Sequence, residues 1–431
     1  MKANHLPPGA SALLALLALP WSAPAADRPS DLFESGKPIL DLRYRFEQVD
    51  QDNALRDARA NTLRARVGYQ TGAWNGFSGL VEFDAVSHLD GDHFNDTRNG
   101  QTGYSAVPDP KGSEVNQVLI RYDAEQGSVV AGRQRINLDN QRFVGGVAWR
   151  QNEQTFDAAL VQFRPINALT FTYAYVDQVN TVFGPDNGPY AAATNPANIE
   201  GHSHLLNLQY RLMPELVATA YQYRLGLDNI AVAVGAPLGT LSSTTTGLRL
   251  NGDIDAFSYA LEYAQQKDYD HNPWRLDSEY LFAEAGYKVK GVQLKGGFES
   301  LGAGEGSGNR AFQTPLATKH VFNGWADVFL TTPADGLEDV YVGASAPLAG
   351  GTVQLWYHDF RSERGSVDFG NEFDVSYSRA LFSLKGLTGL LKYARYASDD
   401  RSRTVDTDKL WGAGAVHVLV LRDRMIADSG T

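Results

Sequence analysis

Apolar and polar residues alternate with a period of two over most of this chain. In ILDLRYRFEQV, residues 39–49, Leu40, Leu42, Tyr44 and Phe46 alternate with Asp41, Arg43, Arg45 and Glu47. One face of such a strand is apolar and aromatic and the other is charged, because successive side chains point to opposite sides of a pleated backbone. A soluble sheet with one wet face produces the same pattern, so a single segment decides nothing. The repetition predicts eighteen strands, at 39–49, 61–70, 77–89, 114–122, 128–134, 156–163, 169–177, 202–210, 216–225, 244–251, 257–265, 278–288, 292–300, 338–345, 352–359, 371–378, 390–396 and 409–420. Most approach the ~9–11 residues that a tilted strand needs to cross a bilayer; soluble strands centre on ~5–6.

The connections sharpen this. Numbered from the first hairpin, the even ones are short: TGAWNG, DAEQG, RPINA, RLMPE, GDIDA, VKG and APLAGG. The odd ones are mostly long: Asp90–Ser113, Arg135–Thr155, Gln178–Gly201, Gly226–Ser243, Gln266–Asp277 and Leu301–Leu337. Short turns at one end and long loops at the other are the pattern of an outer-membrane barrel. The expected fold is therefore all-β, a transmembrane antiparallel β-barrel of about 18 strands with both termini on the periplasmic, short-turn side. Tyr44, Tyr69, Tyr122, Tyr173, Tyr210, Tyr263, Tyr287, Tyr357, Tyr377 and Tyr396 fall near strand ends, where interfacial aromatic girdles lie. The reading for any one of them that needs no membrane is an ordinary strand aromatic.

Composition agrees. A length of 431 residues would suit two or three soluble domains, but 42 glycines, 20 tyrosines and 20 phenylalanines suit one large β-protein, and no hinge or linker stands out. The absence of cysteine removes disulfides, thiolate metal sites and cysteine nucleophiles. A net charge of −12 argues against a nucleic-acid partner. The start, MKANHLPPGASALLALLALPWSAPAA, has Lys2, an apolar stretch from Ala12 to Leu19 and a small-x-small site at Ala23–Ala25. It reads as a signal peptide, residues 1–26, followed by one barrel domain, 27–431. No later run of about 18 apolar residues predicts a transmembrane helix.

With apolar positions facing lipid, polar ones face the lumen. The lumen set is then Arg43, Arg45, Glu47, Arg64, Arg66, Glu82, Asp84, Gln117, Arg121, Arg249, Glu262, Lys295 and Glu299. The stretch GRQRINLDNQRFVGGVAWRQNEQ, residues 132–154, adds Arg133, Arg135, Arg142 and Arg150 in an otherwise acidic chain. Guanidinium groups facing carboxylates can brace a wall. Unpaired, they draw anions into a constriction, and their fork suits a uronate or organic acid. Sequence leaves both uses open.

Other motifs carry less. GAGEGSG, 302–308, lacks a strand–turn–helix setting and reads as a flexible loop. DFG at 368–370 has no kinase context. His202 and His204 share a strand face and read as interface residues before metal ligands. LDGDHFND, 89–96, places Phe94 where a calcium loop needs an oxygen, so a solvated loop is expected. His88, His93, His271, His320, His358 and His417 are scattered, and no Ser/His/Asp set assembles.

The stretches GRQRINLDNQRFVGGVAWRQNEQTFDA and FQTPLATKHVFNGWADVFLTTPADGLEDVYVG, residues 312–343, resemble the alginate-export family of outer-membrane β-barrels. The resemblance runs over nearly the whole mature chain from LDLRYRFEQVDQDN onward. It implies an eighteen-stranded barrel. Members named for function conduct an anionic uronate polymer through an arginine-rich pore, and many relatives resemble general or substrate-specific porins. Only the arginine-rich character of Arg133, Arg135, Arg142 and Arg150 carries over. One departure concerns the tail: after DTDKLW the stretch GAGAVHVLVLRDRMIADSGT, 412–431, looks unlike the family and has no terminal Phe for the assembly machinery to read.

The expected function is an outer-membrane channel for passive movement or export of hydrophilic anions such as uronate polysaccharide, sugars or organic acids. Its expected partners are outer-membrane lipid, the anionic solute and the outer-membrane assembly machinery. No cofactor, metal or catalytic residue is expected. The alternatives are a general diffusion porin without anion preference, an outer-membrane lipase or protease, and a secreted β-sandwich or adhesin. Lipid hydrolysis or recovery without detergent would mark the last two.

Overall fold

In a computed structural model the eighteen strands close into a single antiparallel barrel. The structure describes residues 29–381, 386–399 and 402–419; the expected signal peptide, 1–26, and residues 420–431 lie outside them. The strands are β1 Lys37–Gln51, β2 Ala58–Gln70, β3 Phe77–His88, β4 Gly112–Ala124, β5 Gly127–Gln134, β6 Thr155–Ile166, β7 Leu169–Asn180, β8 Asn198–Met213 and β9 Leu216–Leu225, continuing with β10 Ser243–Ile254, β11 Phe257–Asp268, β12 Asp277–Val289, β13 Val292–Leu301, β14 Leu337–Leu348, β15 Gly351–Arg361, β16 Asp368–Ala380, β17 Leu387–Ser398 and β18 Thr407–Leu419. Each pairs with its sequence neighbours, and β1 closes on β18 from Ile39 opposite Leu419 to Gln51 opposite Thr407. Closure leaves no unpaired edge, which a lipid environment requires. Gly412–Leu419, the described part of the tail, is paired strand.

The alternation sorts the faces. Val67, Phe83, Val118, Ile120 and Leu261 stand exposed on the outside, whereas Arg45, Glu47, Glu82 and Asp84 are buried inside. The side chains that look outward are those lipid would cover. Turns at one end are tight: Ala349 and Gly350 take φ of 47° and 79°, a two-residue hairpin whose left-handed pair matches the strand twist. At the other end the loops 89–111, 135–154, 181–197, 226–242 and 302–336 carry the bulk. A bulge in β4 opposite Glu82 and Phe83 turns both Asn116 and Gln117 inward, and both amides reach Glu82.

Two expectations change. Tyr396 is not in a girdle. It points inward with Ala394 and Lys392, is buried, packs edge-on against Phe329 and shares a hydrogen bond with Thr404 at 2.7 Å. Its place in the strand alternation, not its nearness to the strand end, sets its face. The loop that begins LDGDHFND is folded, not solvated. Phe94 is fully buried with Val49, Ala58, Ala60 and Val107, so the apolar residue that spoils a calcium loop is what packs this one against the barrel rim.

Candidate functional site: a loop-built constriction

Loop 135–154 leaves β5, crosses the lumen and returns to β6. Its entry is held by Arg135, which donates to Glu82 at 2.6 Å and to Glu153. Its middle is pinned to the far wall. There Arg142 grips Glu299 of β13 through two bonds, 2.7 and 3.1 Å, and reaches Asn323 at 2.9 Å. Phe143 packs among Tyr221, Tyr280 and Phe312. The loop also pairs with loop 302–336, through Val144 beside Leu316 and through the Gln154 amide, which donates to the carbonyls of Gly145 and Leu316. These apolar and charged anchors explain why so long a segment holds one conformation inside a barrel.

The return arm carries Trp149 and Arg150. Arg43 of β1 donates to the carbonyls of Ala148 and Arg150 and to Gln151, and Arg45 donates to the carbonyl of Trp149. The Trp149 ring stacks on His320 at 4.2 Å and 8°, and meets Trp411 edge-on at 5.9 Å. Arg45 lies 4.4 Å above the Trp149 ring; the Lys392 ammonium lies 4.6 Å from it and 3.5 Å from Trp325. Cations over indole faces gain ~0.5–2 kcal/mol each, more where water is excluded. The Lys392 ammonium donates to His320 Nε2 at 2.7 Å, which leaves His320 Nδ1–H to donate to Asp327 at 2.7 Å. Burial pushes the His320 imidazole down to about 3, so it stays neutral and bridges the ammonium to the carboxylate. Burial alone would raise Asp327; His320 and Lys409 instead hold its carboxyl well below the usual range.

Trp149 thus stands between two cavities and lines both. One, about 350 Å³, lies among the long loops. The other, about 210 Å³, lies on the strand side with Arg43, Arg45 and Trp411.

The charged residues expected in the lumen are largely paired. Arg45 binds Glu47 at 2.6 Å and approaches Asp109 at 3.6 Å. Arg64 binds Asp41. Arg66 binds both oxygens of Asp84, at 2.7 and 2.6 Å, and Glu153 at 2.7 Å. Arg150 binds Glu47 at 2.9 Å. Burial alone would raise the Glu153 carboxyl; Arg66 and Arg135 outweigh it and hold it at about 2. Arg249 binds Glu262 at 2.6 Å, Lys295 binds Glu284 at 2.8 Å, and Arg121 binds Asp123 at 2.5 Å near the short-turn end.

Two residues sit elsewhere than expected. Arg133 lies opposite Val118 and Asp157 in the ladder, on the face that carries the exposed Val118. It is an outer-wall residue, paired with Asp157 at 2.7 Å, because it follows inward-facing Gly132 by one position. Arg142 is fully covered, an anchor between loop and wall. Sequence reading missed Trp149, His320, Asp327, Lys392 and Trp411. They come from two loops and two strands; Trp149 and the motif around Trp325 and Asp327 did fall inside the two family-like stretches.

Of the arginines and lysines that line the two cavities, Arg43 and Lys319 have no carboxylate within ion-pair distance among the described residues. Arg43 bonds only neutral oxygens, and Lys319, which lines the larger cavity, makes no ion pair. Burial and nearby Arg142 push the Lys319 ammonium down to about 8. Outside the constriction, Asp228, Asp270 and His271 on the long loops could converge on an ion but are exposed.

Residues 40–322 match the alginate-export family. No curated protein sequence matches the chain. Among solved structures the chain is similar to OccAB4 of Acinetobacter baumannii, with 16% identity, a TM-score of 0.69 and coverage of 91% of this chain and 100% of that one. It is also similar to OccK3 (OpdO) of Pseudomonas aeruginosa, with 15% identity, a TM-score of 0.67 and coverage of 91% and 98%. At such identity the likeness concerns the fold. The family is one of passive transport, so the lipase and protease alternatives are set aside. With a closed eighteen-stranded barrel, a loop-built constriction and a match over most of its strands, the chain belongs to the alginate-export family of outer-membrane β-barrel channels.

Proposed function

We propose that this outer-membrane channel passes small anionic solutes, sugar acids and organic acids among them, by diffusion. The observation that carries this reading is the placement of Arg43 and Lys319 on opposite sides of Trp149, each without an acidic partner among the described residues. An uncompensated cation at each approach to a narrow, low-dielectric passage raises the local concentration of anions and lowers their barrier. The paired arginines brace the wall and hold the loops, a contribution to shape more than to charge. A uronate unit fits this picture as one anion among several. Export through a cleaved signal peptide 1–26 and insertion by the outer-membrane assembly machinery complete the proposal.

Reversal potentials in planar bilayers under a salt gradient test it. Chloride should permeate better than potassium, and Arg43→Gln with Lys319→Gln should remove most of that preference. Cation selectivity that the double replacement leaves unchanged would refute it, and lack of any preference would favour a general diffusion porin.

A further inference from the structure

We infer that the 350 Å³ cavity among the long loops is a capture site for a small amphipathic carboxylate, one with an apolar body and a single anionic head. This rests on the anion-channel reading and narrows it. The volume lies in the range of about 300–1,000 Å³ where small-molecule sites fall.

The lining decides the class of ligand. Val147, Phe183, Ile199, Ile230, Val232 and Leu330 are among the apolar residues of the wall. They come from four loops and one strand end, so the pocket exists only because the loops pack together over the barrel mouth. Several polar side chains in the wall, though not Thr194 and Thr331, are already engaged within the protein. Gln154 donates to Gly145 and Leu316, Thr181 to Pro196 at 2.7 Å, and Gln313 to Thr332 at 2.9 Å; Asn195 accepts from Ala192 at 3.0 Å. A sugar ring would bring several hydroxyl groups that need partners, and leaving them unmet is costly. An apolar body needs none and loses water-exposed surface.

The charge is placed for an anionic head. Lys319 lines the cavity with no acidic partner; Arg150 and the Asp327 carboxylate also line it, and these two face each other at 3.6 Å. Arg150 is turned toward Glu47, Asp109 and Asp327, so Lys319 is the group free to meet a carboxylate. The head would then sit beside Trp149 and His320, which also line this cavity, and the ligand would wait at the constriction already oriented.

Single-channel blockade tests this on the full protein in a bilayer. The probes are 3-phenylpropionate, glucuronate and the neutral 3-phenylpropan-1-ol, each added separately to the long-loop side and to the short-turn side. Phenylpropionate on the long-loop side should block at concentrations at least about tenfold lower than glucuronate. The alcohol should not produce resolved blockades. Lys319→Gln should raise the half-blocking concentration of phenylpropionate roughly tenfold or more, the range for losing a charge-assisted contact. Lys319→Arg should keep it near the parent value, and Ile230→Asn, which changes the wall and leaves the charge, should also raise it. Glucuronate blocking as well as phenylpropionate, or indifference to Lys319→Gln, would overturn the inference. If chloride preference persists while phenylpropionate gains no advantage, the capture site falls and the anion channel stands. If chloride preference is absent as well, the anion-channel reading has failed.

Discussion

Replacing Arg142 with methionine should free loop 135–154 from the far wall without opening the barrel. Arg142 meets Glu299 through bonds of 2.7 and 3.1 Å, and both side chains are buried. Methionine keeps much of the volume and removes the charge. The Glu299 carboxylate would keep donors from Tyr280 and Asn323, each at 2.6 Å, but would lose its only cation within ion-pair distance among the described residues. Removing one partner of a buried pair costs about 3–5 kcal/mol, and the two surviving donors place the expected cost near the lower end. Since about 1.4 kcal/mol is a factor of ten, the docked state of the loop loses roughly two powers of ten against undocked states. The strand ladders are untouched, so the barrel itself should persist. The assay pairs open-channel current noise with limited proteolysis of the loop, and heat-modifiable gel migration reports the barrel. Noise and cleavage should rise while migration stays unchanged. Adding Glu299→Gln should recover much of the loss, because removing both partners costs far less than stranding one. A methionine variant with parent noise and parent cleavage would show that the Arg142–Glu299 pair does not hold the constriction.

Further outcomes follow from the same geometry. Trp149→Ala removes the side chain that separates the two cavities, so single-channel conductance should increase; an unchanged value would mean that another group sets the narrowest point. Gly324 has φ of 80° and faces the Glu372 carboxylate, which any Cβ would strike. Gly324→Ala should therefore loosen loop 302–336 by roughly 1–3 kcal/mol, visible as faster cleavage of that loop. Glu153 has its folded value depressed from 4.5 to about 2, so its pairing with Arg66 and Arg135 stabilises the docked loop fully above its unpaired value and loses that contribution as pH falls between them. Current noise should rise through that acid window, and Glu153→Gln should show the raised noise already at neutral pH. The Lys319 ammonium, pushed down to about 8, is charged below that value and neutral above it. Anion preference should weaken as pH rises through it, while Lys319→Arg keeps its preference.

The barrel was readable because its physical cause is local. A strand between lipid and a polar lumen must alternate, and β1 shows this from Ile39 to Val49 with Leu42 and Tyr44 outside and Arg45 and Glu47 inside. Loop lengths followed from the chain alone, because hairpins at one end close in two residues, as at Ala349–Gly350. Face assignments failed where parity was not followed. Tyr396 and Arg133 were each placed by character or neighbourhood, and the ladder puts each one on the opposite face.

The constriction was far less legible. Trp149, His320, Trp411 and Lys392 are separated by up to two hundred or more positions along the chain, and only loops 135–154 and 302–336, folded into a closed cylinder, bring them within stacking distance. Likewise the chain displayed the arginines, but which carboxylate each one meets depends on register and loop path: Arg66 finds Asp84 across the ladder and Glu153 from the loop. Alternation and turn chemistry, set by neighbours a few residues apart, therefore determined fold class and strand number from sequence alone. The pairing of charges, the stacking around Trp149 and the placement of Arg43 and Lys319 without acidic partners are long-range outcomes, and only the closed tertiary structure decided them.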